Sequence, residues 1–76
     1  MTHIMNFTLY VIQEQIKGIV QEPVVFQKHI AANHYYLHCV KDQYNADVKS
    51  FNEALEYHGE NKGKDYGIEF WTLEAK

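Results

Sequence analysis

Arginine is absent from this chain of 76 residues. Its seven lysines and ten acidic residues give a net charge of −3. Direct binding to DNA or RNA relies on a basic surface that releases counterions and on guanidinium groups that fork onto phosphates. We therefore expect no direct nucleic-acid binding. Glu53, Glu56 and Glu60 share one predicted helical edge, and a charge row of this kind is typical of a solvated face rather than of a mimic of duplex DNA.

Cysteine is nearly absent as well, because Cys39 is the only one. One cysteine forms no internal disulfide, whereas small secreted domains generally depend on several, so the sequence indicates a reducing compartment. The apolar run at residues 7–12 is too short to span a membrane and lacks the preceding basic residues of a signal peptide. We expect a cytoplasmic protein without membrane contact.

Recognisable catalytic patterns are missing too. His38 and Cys39 are adjacent, so on a helix their side chains diverge by about 100° and do not form a nucleophile and base pair. Ser50, the only serine, lies at a predicted helix cap rather than in a nucleophile elbow. Residues 59–64 contain glycine and lysine without the spacing of a phosphate-binding loop. We therefore predict a protein that is not an enzyme and needs no cofactor.

The composition that is present, 46% apolar and 14% aromatic, is typical of a chain with a packed core. We expect one compact domain over residues 1–76. Residues 4–12 alternate as in a strand that is buried on both sides, with a bend near Glu14 and Gln15 and a short second strand at residues 16–20. An alternative keeps the apolar residues at spacings of 3 and 4 on one helix over residues 4–20, and Gly18 favours the hairpin over that helix.

The central part of the chain predicts a long helix over residues 23–44. Pro23 suits a first helical position because its fixed φ matches the helix and it lacks an N–H that would be unpaired there. An apolar stripe at spacings of 3 and 4 should face the core. Its members are Phe26, Ile30, Asn33, Leu37, Val40 and Tyr44.

A second helix and a last strand follow. Residues 45–47 break the long helix, and Ser50 with Glu53 has the form of a capping box, so a short helix should run from there to Gly59. Val48, Phe51, Leu55 and His58 should share one of its sides. Residues 60–67 are expected to be a loop, and residues 66–73 a strand beside the first. The predicted fold is α+β, with a small antiparallel sheet packed on one long and one short helix.

Two side-chain groups are candidates for a site. His34, His38 and Asp42 follow one another at helical spacing, the arrangement with which a helix grips a zinc ion, and His58 would complete it. Half-buried structural histidines give the same pattern, so the sequence predicts no metal and keeps these residues as weak candidates. The stronger candidate is an aromatic face for a protein partner, because exposed tyrosines are enriched in interfaces. It comprises Tyr35, Tyr36, Tyr57, Tyr66 and Trp71.

In size, lack of motifs and acidic balance, the chain resembles small phage-encoded proteins that block bacterial defence systems, such as anti-CRISPR inhibitors. This resemblance covers overall character and transfers no site residues. It implies a protein partner within a nucleic-acid-targeting complex. We therefore predict a small protein-binding module that regulates or inhibits a larger assembly. The alternatives are a histidine-based metal-binding regulator and a homodimeric scaffold.

Overall fold

The computed structural model describes residues 7–75. Its elements follow one another as β1 (Phe7–Ile16), β2 (Ile19–Val20), β3 (Val24–Phe26), α1 (His29–Tyr44), α2 (Phe51–Asn61) and β4 (Gly67–Ala75). Strand β1 is central. It pairs antiparallel with β4 along one side, and with β2 and β3 along the other. A small antiparallel sheet with one longer and one shorter helix confirms the predicted α+β class.

The N-terminal hairpin is present, but its turn lies later than predicted. Strand β1 continues through Glu14 and Gln15, where we expected a bend, and the chain turns at Lys17 and Gly18. Both have positive φ, 53° and 79°, as a two-residue turn between twisted strands requires. The helical alternative for this region is wrong over the described part, and residues 4–6 of the predicted strand lie outside the described residues.

The polar run that suggested a bend is accommodated within the strand because its side chains find partners. The Gln13 side-chain amide donates to the Gln21 carbonyl at 3.0 Å. The Gln15 amide donates to the Lys64 carbonyl at 3.1 Å. On the helix side of the sheet, the Glu14 carboxylate accepts a hydrogen bond from the Gln43 amide of α1 at 3.0 Å. A strand with such partners needs no break at these residues.

Pro23 begins no helix, contrary to our prediction. It lies between β2 and β3, where the pairing to β1 changes register. Proline, which has no N–H, is tolerated there because β2 and β3 form an edge of the sheet and their hydrogen bonds to β1 are interrupted between them. Val24 and Phe26 then pair with Ile12 and Tyr10 of β1. The residues predicted as the first helical turns are therefore strand β3, and α1 begins only at His29.

The core face of α1 also differs from the predicted stripe. Its buried residues are Ala32, Tyr36, Cys39 and Val40. Val40 belongs to the predicted stripe, and Phe26, Leu37 and Tyr44 pack against the core, but Ile30 is 62% exposed. The helix ends at Asn45, whose φ of 51° is a left-handed conformation that asparagine tolerates better than most residues.

Helix α2 begins as predicted and ends later. The Ser50 hydroxyl accepts a hydrogen bond from the Glu53 N–H at 3.1 Å, which confirms the predicted N-cap. The Glu53 carboxylate accepts from the Lys49 N–H at 3.3 Å. Gly59 lies inside the helix, which continues to Asn61 because the Lys62 N–H still finds the His58 carbonyl at 2.9 Å.

Both helices lie on one side of the sheet. Ile12 and Ile68 from the sheet form one buried cluster with Tyr36 and Val40 of α1 and Ala54 of α2. Helices α1 and α2 fall short of the length and hydrophobicity that a bilayer-crossing segment needs, within the described range.

Candidate functional site

The other side of the sheet carries a row of apolar side chains. Successive side chains of a strand project to opposite faces. Tyr10, Ile12 and Phe70 pack toward the helices, so the residues that alternate with them project away. We call this surface the open face. Its apolar members are Phe7, Leu9, Val11, Val25, Trp71 and Leu73.

Strand register makes the open face a contiguous patch. Leu9 is directly opposite Leu73, and Val11 is opposite Trp71 on one side and Val25 on the other. Val11 is only 3% exposed although no helix lies over it, because its cross-strand neighbours cover it. The outer members stay open to solvent, with Phe7 at 49%, Val25 at 53% and Leu73 at 51% exposed. No described residue forms a second layer over them.

Charge is scarce on this face. Beyond Val11 the strand positions become polar, with Gln13 opposite Glu69 and then Gln15. Glu69 is the only ionisable residue among the described β1, β3 and β4 positions that project this way. The open face is thus an apolar surface with one acidic residue toward its hairpin end. Contiguous apolar patches on a protein surface commonly mark interaction sites.

Tyr36, which we expected on the surface, is a core residue. It is 2% exposed, and its ring contacts those of Phe51 and Phe70 at centroid distances of 5.4 and 5.8 Å. Burial raises the pKa of the Tyr36 hydroxyl to about 12. The prediction of its exposure is wrong because the predicted core stripe includes Ile30, whereas α2 and β4 pack on the Tyr36 side of α1.

The other predicted aromatic residues do not form one surface. Tyr35 is half-buried with its ring 5.3 Å from that of Phe26. Tyr57 packs on Tyr44 at 5.9 Å. Both lie with the helices, whereas Trp71 lies on the open face. Tyr66, just before β4, is half-buried beside a cleft. Of the five predicted partner-binding residues, Trp71 alone belongs to the open face.

The weak candidates for metal ligands are not gathered into a site. His34, His38 and Asp42 are exposed on α1, and the described residues contain no group of three or more histidine, cysteine or acidic side chains placed to hold an ion. His58, the fourth candidate, is occupied elsewhere, because its Nε2 accepts a hydrogen bond from the Ile68 N–H at 3.1 Å. Burial and the nearby charge of Lys62 lower the pKa of His58, which favours the neutral ring that this bond needs.

Cys39 is placed as a core residue rather than as a nucleophile. It is buried within the α1 face. Burial, together with the neighbouring Glu14 carboxylate, raises the pKa of its thiol to about 12. Because the thiolate is the reactive form, this environment suppresses nucleophilic chemistry.

A cleft of about 320 Å³ lies at the hairpin end of β1 and β4, beneath the loop that follows α2. Its lining includes Gln15, His58, Lys62, Tyr66 and Glu69. Its volume is at the low end for small-molecule sites. Gln15 and His58 already hold the loop and β4 through hydrogen bonds, so their polar groups serve the fold.

Sequence reasoning assigned Phe7, Leu9, Val11 and Leu73 to strands but predicted that the first strand is buried on both sides. The signal for the open face was present in the alternation of these strands, but the alternation does not tell which side the helices cover.

No protein-family model matches the chain, and comparisons with curated proteins and with solved structures also gave no match. The geometry is therefore the basis for a functional argument.

Proposed function

We propose that this chain is a small non-enzymatic protein-binding module that inhibits or regulates a larger intracellular assembly by docking its open face on a protein subunit. The observation that carries this proposal is the contiguous apolar patch from Phe7 to Trp71 on a sheet side that no described residue covers. The buried Cys39 thiol and the hydrogen-bonded His58 ring support a role in binding rather than in catalysis.

The charge distribution defines the chemistry of the partner. The open face carries Glu69 and no lysine among its described strand positions, and the whole chain has a net charge of −3. The complementary surface is an apolar patch bordered by lysine or arginine. Subunits that bind nucleic acid carry basic surfaces of this kind. We therefore assign the partner to a nucleic-acid-targeting complex, and the protein to phage or mobile-element inhibitors of bacterial defence, of the anti-CRISPR type.

The test compares one charge placed on the open face with the same charge placed elsewhere. Leu73→Glu alters the open face, and Leu55→Glu is the matched control on α2, where the side chain is 42% exposed. Proteins captured from a host lysate would be identified by mass spectrometry, and the nucleic-acid-targeting subunit would then be purified and titrated. We expect Leu73→Glu to weaken its binding about tenfold or more, and Leu55→Glu to leave it nearly unchanged.

Two outcomes would count against the proposal. Equal binding by both variants would remove the open face as the docking surface. A purified partner whose affinity does not fall as salt is raised would contradict the assigned charge complementarity, because salt screens attraction between exposed charges.

A further inference from the structure

Strand β4 has one unpaired edge. In an antiparallel ladder, a residue directs both its N–H and its C=O toward the same neighbour, and the next residue directs them the other way. Ile16 and Ile19 form the hydrogen-bonded pair that closes the hairpin. The backbone N–H and C=O groups of the even-numbered β1 residues therefore point toward β2. The odd-numbered residues of β1 therefore bond to β4, through its own odd-numbered residues. Phe70, Thr72 and Glu74 direct their backbone groups outward.

The contact of Ile68 supports this direction independently. Ile68 belongs to the same outward set, and its N–H reaches away from β1 to the His58 ring at 3.1 Å. Past that point, no described residue makes a hydrogen bond with the backbone of Phe70, Thr72 or Glu74. The edge is therefore capped at its start and free from Phe70 onward.

The two edges of the sheet differ in how they are protected. The β2 and β3 edge is short and interrupted at Pro23, which are usual ways of preventing strand addition. Strand β4 has nine residues and contains neither proline nor lysine. Its two charged residues are Glu69, on the open face, and Glu74, at the end of the strand, so the edge at Phe70 and Thr72 carries no charge and is a template for another strand.

We propose that the protein forms a homodimer in which the free edge of β4 pairs antiparallel with β4 of a second copy, about a two-fold axis at Thr72. In this register Thr72 is opposite Thr72 of the second copy, and Phe70 is opposite its Glu74. All three outward residues of each chain are then used, and the pairs exchange about six hydrogen bonds. The occupant is a second copy because this sequence of residues is complementary to itself.

Neighbouring registers are less favourable. Moving the axis toward the start of β4 would require the backbone of Ile68, whose N–H is already bonded to His58. Moving it to Leu73 would leave Phe70 without a partner among residues 7–75, and moving it onto Glu74 would place two carboxylates directly opposite each other, which is destabilising. With the axis at Thr72, each Glu74 is opposite an uncharged residue, and two threonines form the central pair.

The same register joins the open faces of the two copies. Trp71 is opposite Leu73 of the second copy, so an aromatic and an aliphatic side chain meet across the new strand pair on that side of the sheet. The dimer therefore presents one continuous apolar surface. The pairing itself does not depend on the docking function, because it uses the edge of the sheet and leaves the open face uncovered.

The first experiment removes one donor from the edge. Thr72→Pro deletes an N–H that points away from β1, so the intramolecular ladder keeps its bonds, and circular dichroism would check the fold. Thr72→Val is the control, since it keeps the N–H. We expect the wild type and Thr72→Val to sediment as dimers, with slow amide exchange at Phe70, Thr72 and Glu74. Thr72→Pro should sediment as a monomer.

The second experiment tests the register and does not depend on the behaviour of proline. Thr72→Lys alone and Thr72→Glu alone place like charges in the central pair, so each should raise the dissociation constant roughly two- to fivefold. A mixture of the two should form a heterodimer at least as tight as the wild type. No heterodimer preference would overturn the register.

A wild type that remains a monomer at a protein concentration of about 1 mM would overturn the dimer, because even a weak dimer would form at that concentration. A dimer whose Phe70, Thr72 and Glu74 amides exchange freely would overturn the edge pairing. Retained partner binding by Leu73→Glu would overturn only the docking function, and a monomeric wild type that binds its partner would overturn only the dimer, so the two proposals fail separately.

Discussion

At the scale of single residues, Tyr36 connects all the layers of the fold. Its ring contacts the rings of Phe51 of α2 and Phe70 of β4, which also contact each other, while its backbone belongs to α1. Replacing it by alanine should cost about 3–5 kcal/mol, through lost burial and a remaining cavity. A domain of this size has a margin of about the same magnitude. We therefore expect Tyr36→Ala to be largely unfolded by circular dichroism.

Tyr36→Phe is the matched control for that substitution. The ring is retained, and the hydroxyl makes no hydrogen bond within the described residues. The urea midpoint of Tyr36→Phe should stay close to that of the wild type. A folded Tyr36→Ala variant with an unchanged midpoint would contradict the central position of this ring.

His58 should make the protein sensitive to mild acid. Burial and Lys62 lower its pKa in the folded state, whereas the unfolded chain keeps the ordinary value of about 6.5. Below that value the unfolded state binds the proton more readily, so the free energy of unfolding should fall as the pH drops through about 6.5. The rings of Tyr36 and Tyr44, at 6.1 and 5.9 Å from the His58 ring, offer no negative charge to offset protonation.

Urea titrations at about pH 7.5 and about pH 5.5 would measure this effect. His58→Gln keeps an oxygen that can accept the Ile68 N–H but does not titrate, so it should lose less stability than the wild type between the two pH values. His38→Gln, at an exposed position of α1, should behave as the wild type. Equal losses in all three proteins would exclude His58 as the acid-sensitive group.

At the scale of elements, the sequence predicts best where the signal is local. Ser50 and Glu53 indicate the start of α2 because the cap is made by residues three apart. Pro23 misleads for an equally physical reason: its fixed φ and missing N–H suit the first turn of a helix and an interrupted edge strand alike. The choice is made by pairing of Val24 and Phe26 with β1, which no local pattern contains.

The N-cap of α2 gives a prediction at this scale. Ser50→Ala should lower the free energy of unfolding by about 1 kcal/mol, since the Glu53 N–H loses its side-chain acceptor. Asn52→Ala, at an exposed position within the first turn, is the control and should not destabilise. Chemical denaturation of both variants would measure the difference, and equal stability of the two would show that the cap contributes nothing.

At the scale of the whole molecule, the sequence does not indicate which face of the sheet the helices cover. Both sides of β1 carry apolar residues, with Ile12 on one and Val11 on the other. This pattern is typical of a strand covered on both sides, yet the helices cover only the Ile12 side. Within residues 7–75 no element covers the second side, and only the assembled fold reveals that surface.

The uncovered side should be detectable in the isolated protein. Hydrophobic dyes such as anilinonaphthalene sulfonate bind exposed apolar patches, so the wild type should enhance dye fluorescence while fully folded. Replacing Val25 and Leu73, which are 53% and 51% exposed, by threonine should reduce the enhancement. Threonine has the β-branched shape that strands favour, so the unfolding midpoint should change little.

The control for the dye experiment is Leu55→Gln, which removes an exposed leucine from α2 rather than from the open face. Its dye fluorescence should match that of the wild type, because the substitution leaves the apolar residues of the open face unchanged. If Leu55→Gln reduced the signal as much as the double variant at Val25 and Leu73, the dye would be reporting general surface hydrophobicity. The open face would then have no special affinity for apolar ligands, and its assignment as the docking surface would lose its basis.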